Sequence, residues 1–280
     1  MAMVVQHNLR AMNSNRMLNV NTQSQVKSAE KLSSGYRINR AADDAAGLAM
    51  SEKMRRQMRG LTQASSNAQD GISMVQTAEG ALNEVHDMLQ RLNELSVKAE
   101  NGTLTSTDRG YIDSEVQQLM SEIDRVASTT TFNEMNLLDG TFSADADACG
   151  LQVGAESGQH ISFTIDKLDC SGLGLGAVGS RCSATSTSTA AALNGAVKEA
   201  ITRLSTQRSN LGAVQNRLEH TINNLDNVVE NTTAAESRIR DTDMATEMVK
   251  YSNTNILAQA GQAMLAQSNQ ANQGVMSLLQ

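Results

Sequence analysis

From Leu61 the positions Leu61, Ala64, Ala68, Gly71, Val75, Ala78, Leu82, Val85, Leu89 and Leu92 step by three and four residues without a break. A strand would need an alternation of two, so only a long helix keeps these side chains on one stripe. Gly71 is the single position that does not suit a packed seam. A second series, Leu193, Val197, Ala200, Leu204, Gln207, Leu211, Val214, Leu218, Thr221, Leu225 and Val228, does the same, with Gln207 and Thr221 as polar exceptions. Two long helices with coiled-coil-like faces follow. The chain has no proline, no tryptophan and 2% aromatic residues, so its apolar load is Ala, Leu, Val, Ile and Met. Those side chains suit a narrow helical seam rather than one thick core built on aromatics. The expected fold is mainly α, an elongated rod of antiparallel helices.

Local signals fill in the rest. Asp43 can cap the start of the first long helix, and Asn101-Gly102 is a stop. Ser106 or Thr107 with Asp108 then starts a third helix carrying Ile112, Val116, Leu119, Ile123 and Val126. Leu151 and Val153, then Ile161, Phe163 and Ile165, alternate with polar residues across the turn-like GAESGQ, which predicts a β-hairpin. Gly, Ser and Thr dominate SADADACG and SGLGLGAVGSRCSATSTST, as in exposed loops.

The carboxyl end is the most informative segment. Tyr251 to Gln280 contains no Asp, Glu, Lys, Arg or His, yet is crowded with Gln, Asn and Ser. Its apolar residues Ile256, Leu257, Ala260, Met264, Ala271, Val275, Leu278 and Leu279 recur near helical spacing. The first nine residues are similarly uncharged apart from His7. A charge buried among helices is costly unless paired, whereas amides can bond to neighbours, so both ends suit packing inside a multi-helix assembly. The same tail can be disordered alone and helical once assembled.

No chemistry-bearing constellation stands beside this pattern. His7, His86, His160 and His220 are scattered without ligand spacing, so no metal and no cofactor is expected. Gly174 to Gly179 spells GxGxxG, but a Ser/Thr-rich loop follows where a nucleotide fold needs a helix. Asp43 with Asp44, and Asp241 with Asp243, fall at predicted helix starts, where acids favour the dipole. The fifteen methionines read as seam filler. Of three cysteines, Cys149 and Cys170 could clip the base of the hairpin, or Cys149, Cys170 and Cys182 could all remain free thiols. A net charge of −7 and scarce aromatics argue against nucleic acid as a partner. No apolar run is long enough to cross a membrane and no cleavable signal is visible, which by these rules alone reads as cytosolic.

Residues Lys31 to Leu82, KLSSGYRINRAADDAAGLAMSEKMRRQMRGLTQASSNAQDGISMVQTAEGAL, resemble the amino-terminal signature of bacterial flagellins. Ala234 to Gln280, AAESRIRDTDMATEMVKYSNTNILAQAGQAMLAQSNQANQGVMSLLQ, resemble the carboxyl-terminal one, and EIDRVASTTTFNEMNLLDG and LQVGAESGQHISF fit between them. The short, cysteine-bearing stretch around 143–189 departs from the family and implies that large outer domains are missing. The resemblance implies five segments: 1–42, half of an inner-core helical domain with its spoke; 43–142, two rod helices; 143–189, a short variable region; 190–238, the carboxyl-terminal rod helix; and 239–280, the other half of the inner core. It implies a non-enzymatic, self-polymerising filament subunit for swimming, with Leu9, Met12, Ile256, Leu257, Met264, Val275, Leu278 and Leu279 in the inner core. It also overrides the cytosolic reading, since flagellins leave through the flagellar export apparatus without a cleaved signal. Implied partners are further copies, an export chaperone, the filament cap and hook-associated proteins. Toll-like receptor 5 is a further implied partner, facing Arg91, Leu95 and Glu115. The alternative within the same resemblance is a hook-filament junction protein.

Overall fold

The computed structural model describes residues 8–143, 148–175 and 186–277, with side chains as far as 271. Its elements are α1 (Leu9–Ser34), α2 (Ala45–Glu100), α3 (Ser106–Thr129), β1 (Thr131–Phe132), β2 (Met135–Asn136), β3 (Cys149–Gln152), β4 (His160–Phe163), α4 (Thr187–Arg240) and α5 (Met244–Ser277). At 56 and 54 residues, α2 and α4 each run for roughly 80 Å. The chain divides into two compact units, one of Gln57–Val229 and one of Met1–Arg56 with Glu230–Gln280.

In the first unit α2 and α4 are antiparallel. Ser65 donates to Asp226 and, further along, Arg208 reaches Glu79, so α2 ascends in number as α4 descends. All nine apolar members of the α2 series are buried, as are Leu193, Val197, Ala200, Leu204, Leu211, Val214, Leu218 and Leu225 of α4. Helix α3 folds back along α2, with Arg109 donating to the carbonyls of Ala99 and Asn101. It buries Ile112, Val116 and Ile123 in the same core.

Both long series are broken where the hairpin docks. A Cβ built on Gly71 would lie 2.2 Å from Leu151 Cδ1, so this glycine is the seat for the β3 leucine. Gln207 is 4% exposed and donates to the Thr164 carbonyl just beyond β4, at 2.9 Å. Thr221, the other exception, is half-buried and satisfies its hydroxyl on the Arg217 carbonyl of its own helix. Asn67 donates to the Gln152 carbonyl and Gly60 lies against Ala155, completing the seam with α2. Replacing Gly71 by valine should therefore lift the hairpin and lower the unfolding free energy by about 1–3 kcal/mol, as overpacking does. Chemical denaturation followed by circular dichroism checks this; an unchanged midpoint would mean Leu151 simply swings aside.

The hairpin pairs Cys149 with Phe163, Gly150 with Ser162, Leu151 with Ile161 and Gln152 with His160. Ile161, Phe163 and Ile165 face the core, while the expected strand residue Val153 lies just outside β3 and still bonds Gln159. A second hairpin, β1–β2, is absent from the sequence reading. Its two-residue turn holds Asn133 and Glu134 at φ 48° and 65°, the type I′ geometry that glycine usually supplies. Strands of two residues are too short to show any alternation.

Three end signals shift. Asp44, not Asp43, caps α2 by accepting from Gly47 N–H at 2.9 Å. Asp43 instead accepts from the N–H groups of Asn39 and Arg40, first Arg40 and then Asn39 holding its carboxyl below the usual range. Thr105, one residue earlier than expected, caps α3 in a reciprocal box with Asp108. Asp243 caps α5, but Asp241 accepts from Ser237 at the end of α4.

Cys149 and Cys170 are free thiols in the structure. Cys149 Sγ sits 3.8 Å from Met74 Sδ, and Cys170 Sγ donates to the Met120 carbonyl at 3.2 Å, so the thiols turn to different neighbours rather than to each other. Burial pushes the Cys149 thiol up, away from the reactive thiolate. Cys182 and Gly176 to Gly179 of the GxGxxG string lie outside the described residues.

Candidate assembly interface

The second unit is built on α1 and α5, which lie side by side and antiparallel. Asn8 caps α1 through Ala11 N–H and also donates to the Ser268 carbonyl, while Leu18 packs over Gly261. Small side chains allow this close approach: Ser28, Thr254 and Ala258 are buried in the unit. Thr254 satisfies its hydroxyl on the Tyr251 carbonyl, so burying it leaves no open donor.

Ten of the larger apolar side chains of these helices point away from that seam. Leu9, Met12, Met17, Val20 and Val26 of α1 are all at least half exposed, and so are Met248, Val249, Ile256, Leu257 and Met264 of α5. Ile256 is 64% exposed. Ordinary amphipathic helices turn such residues inward, so a helix pair presenting them outward carries an unusually large exposed apolar surface. Of the expected inner-core positions, Leu9, Met12, Ile256, Leu257 and Met264 lie on these exposed faces. Val275, Leu278 and Leu279 lie outside the described side chains. Met17, Val20, Val26, Met248 and Val249 belong with them and were missed, although Met17 to Val20 repeats the three-residue step of Leu9 to Met12.

A polar node at the base of the pair fixes where the two connectors run. Gly35, at φ 75°, ends α1 and accepts from Thr242 N–H, and Arg37 N–H donates to the Arg240 carbonyl at 2.7 Å. The Arg240 guanidinium stacks 4.6 Å over the Tyr36 ring and ion-pairs with Glu52 at 3.3 Å and Glu236 at 3.9 Å. Ser51 donates to Glu236 across the same spot. One arginine thus joins α2, α4 and the strand-like segment after α1.

The positions implied as receptor-facing fall in the other unit. Arg91 pairs with Glu115 at 2.8 Å and Glu94 at 3.0 Å on the surface, and these carboxylates, Glu115 first, raise the guanidinium's affinity for its proton. Leu95 is 2% exposed and belongs to the core. Among the described residues no three His, Cys, Asp or Glu side chains gather as a metal would require, and no helix is long and apolar enough to cross a membrane.

Residues 5–143 match the family model described as the bacterial flagellin N-terminal helical region, and residues 194–279 match the C-terminal one. A flagellin of Halalkalibacterium halodurans is 53% identical over 277 residues, covering 99% of this chain and all of that one. A flagellar filament 31.3 kDa core protein of Treponema maltophilum is 47% identical over 286 residues, covering 99% and 100%. Among solved structures, a Vibrio parahaemolyticus protein assigned as flagellar hook-associated superposes with a TM-score of 0.61 at 14% identity. It covers 71% of this chain and 100% of that one, a likeness of fold.

Proposed function

The chain belongs to the bacterial flagellin family, a structural family rather than an enzymatic one, and on that premise we propose that it polymerises through α1 and α5 into the core of an extracellular flagellar filament. The observation that carries the reading is the pairing of outward apolar faces with a charge-free tail. Copies that cover Leu9, Met12, Ile256, Leu257 and Met264 remove apolar surface from water, and the absent charges spare the desolvation cost. Contacts of one face with a different face, repeated without closing, generate a helical polymer. Export without a cleaved leader, a chaperone that covers the tail, and capping and hook-associated partners follow from family membership as parts of the same proposal.

Seeded growth watched by electron microscopy tests it, comparing the full chain with one lacking Tyr251 to Gln280. Long filaments from the full chain alone are expected. Stable monomers that never extend seeds would overturn the proposal and favour a junction protein.

A second reading rests on the exposed Arg91–Glu115 pair. We propose that the free subunit presents this pair to Toll-like receptor 5, with Leu95 supporting it from within the core. Arg91→Ala should weaken receptor signalling by purified monomer while leaving its circular dichroism unchanged; equal signalling would remove Arg91 from the contact.

A further inference from the structure

Of the ten apolar side chains on α1 and α5 that are at least half exposed, four are methionines: Met12 at 63% exposure, Met17 at 51%, Met248 at 52% and Met264 at 59%. The core of the other unit places its methionines differently, with Met74 at 3% and Met120 at 8%. Thioethers that are buried react slowly with peroxides, while exposed ones are open to attack, and the sulfoxide formed is polar where the thioether was apolar. On this chain the open sulfurs lie on the surface that assembly has to cover.

We propose that Met12, Met17, Met248 and Met264 form an oxidation-sensitive site that governs whether a free subunit can join a filament. Hydrogen peroxide is the oxidant class. The thioether sulfur attacks one peroxide oxygen, the O–O bond breaks as the S–O bond forms, and the second oxygen leaves as water. Sulfur is oxidised and peroxide reduced. Each sulfoxide carried onto the assembling surface then needs hydrogen-bond partners that an apolar seam does not offer. Once a subunit is in place its neighbours cover the same sulfurs, so the polymer resists an oxidant that disables the monomer. The proposal rests on the assembly reading above, in which these faces are the ones covered.

The test treats full-length monomers with hydrogen peroxide, maps oxidised methionines by peptide mass spectrometry and measures seeded extension. Oxidation is expected at Met12, Met17, Met248 and Met264 well before Met74 and Met120, with extension slowed by about tenfold or more. Treatment with methionine sulfoxide reductases of both epimer specificities should restore it. A second arm uses M12L/M17L/M248L/M264L, a volume-conserving set that keeps the apolar surface. That variant should extend after peroxide as fast as before, although Met50 and Met244 stay exposed in it. Oxidised wild-type chain that extends normally, or a leucine variant as sensitive as wild type, would overturn the proposal. Untreated chain that forms no filaments would instead overturn the assembly reading on which it stands.

Discussion

Ile256→Asp should abolish filament growth while leaving the monomer as stable as before. The side chain is 64% exposed in the free subunit, so the new carboxylate is solvated there, and exposed substitutions of this kind shift stability by no more than about 0.5 kcal/mol. In the proposed polymer the same position is covered by other copies, and the charge-free segment from Tyr251 onward supplies no cation to pair with it. An unpaired carboxylate taken out of water costs several kcal/mol, and each 1.4 kcal/mol is about tenfold in an equilibrium constant. The concentration of monomer needed to sustain growth should therefore rise by about a thousandfold or more. Ile256→Asn separates charge from shape, since its amide can find partners among neighbouring amides, and it should lie between the two. Sedimentation of seeded mixtures over a concentration series reads the effect. Growth of the aspartate variant at wild-type concentration would move Ile256 off the buried surface.

Leu89→Ala attacks the other unit and should give the opposite pattern, an unstable monomer. Leu89 is fully buried in the core shared by α2, α3 and α4. Truncating a buried leucine loses its transfer free energy and leaves a cavity that long, stiff helices collapse into poorly, costing about 2–5 kcal/mol. For a unit of this size that corresponds to a fall of roughly 10 °C in the unfolding midpoint. Thermal circular dichroism measures it. A loss below about 1 kcal/mol would mean the helices close the gap, which volume-tolerant seams sometimes do.

The helical framework was legible because α2 and α4 each repeat one simple demand over many turns, so single exceptions could not hide it. Those exceptions carried more information than the pattern. Gly71 and Gln207 looked like weak points of a seam and are the places where Leu151 and the Thr164 carbonyl dock. Reading a glycine and a buried amide as docking points would have set the hairpin against the helices from sequence alone. The β1–β2 turn was not legible, since two-residue strands leave no periodicity and Asn133-Glu134 is not a glycine turn. The shift of the cap from Asp43 to Asp44 is a matter of one residue between two equivalent carboxylates. The outward faces of α1 and α5 were legible in part, through the missing charges. Arg240 was not, because Glu236 is one turn away but Tyr36 and Glu52 become its neighbours only after residues some two hundred positions apart have met.

Asn8 and Ser268 touch although 260 positions separate them along the chain. Contacts that distant are slow to form by chance search, because a long loop has to close first. Pairing of α2 with α4 removes most of that search by bringing Ser51 to Glu236, after which only the short connectors 35–44 and 241–243 remain to be placed. The topology favours one order of events, in which the long helices zip together and the first and last helices meet at the end. A chain broken off between α4 and α5 can complete the zipping but never the final meeting, so it leaves α1 with its seam open. The α1–α5 seam in this way closes only on a chain that carries both helices.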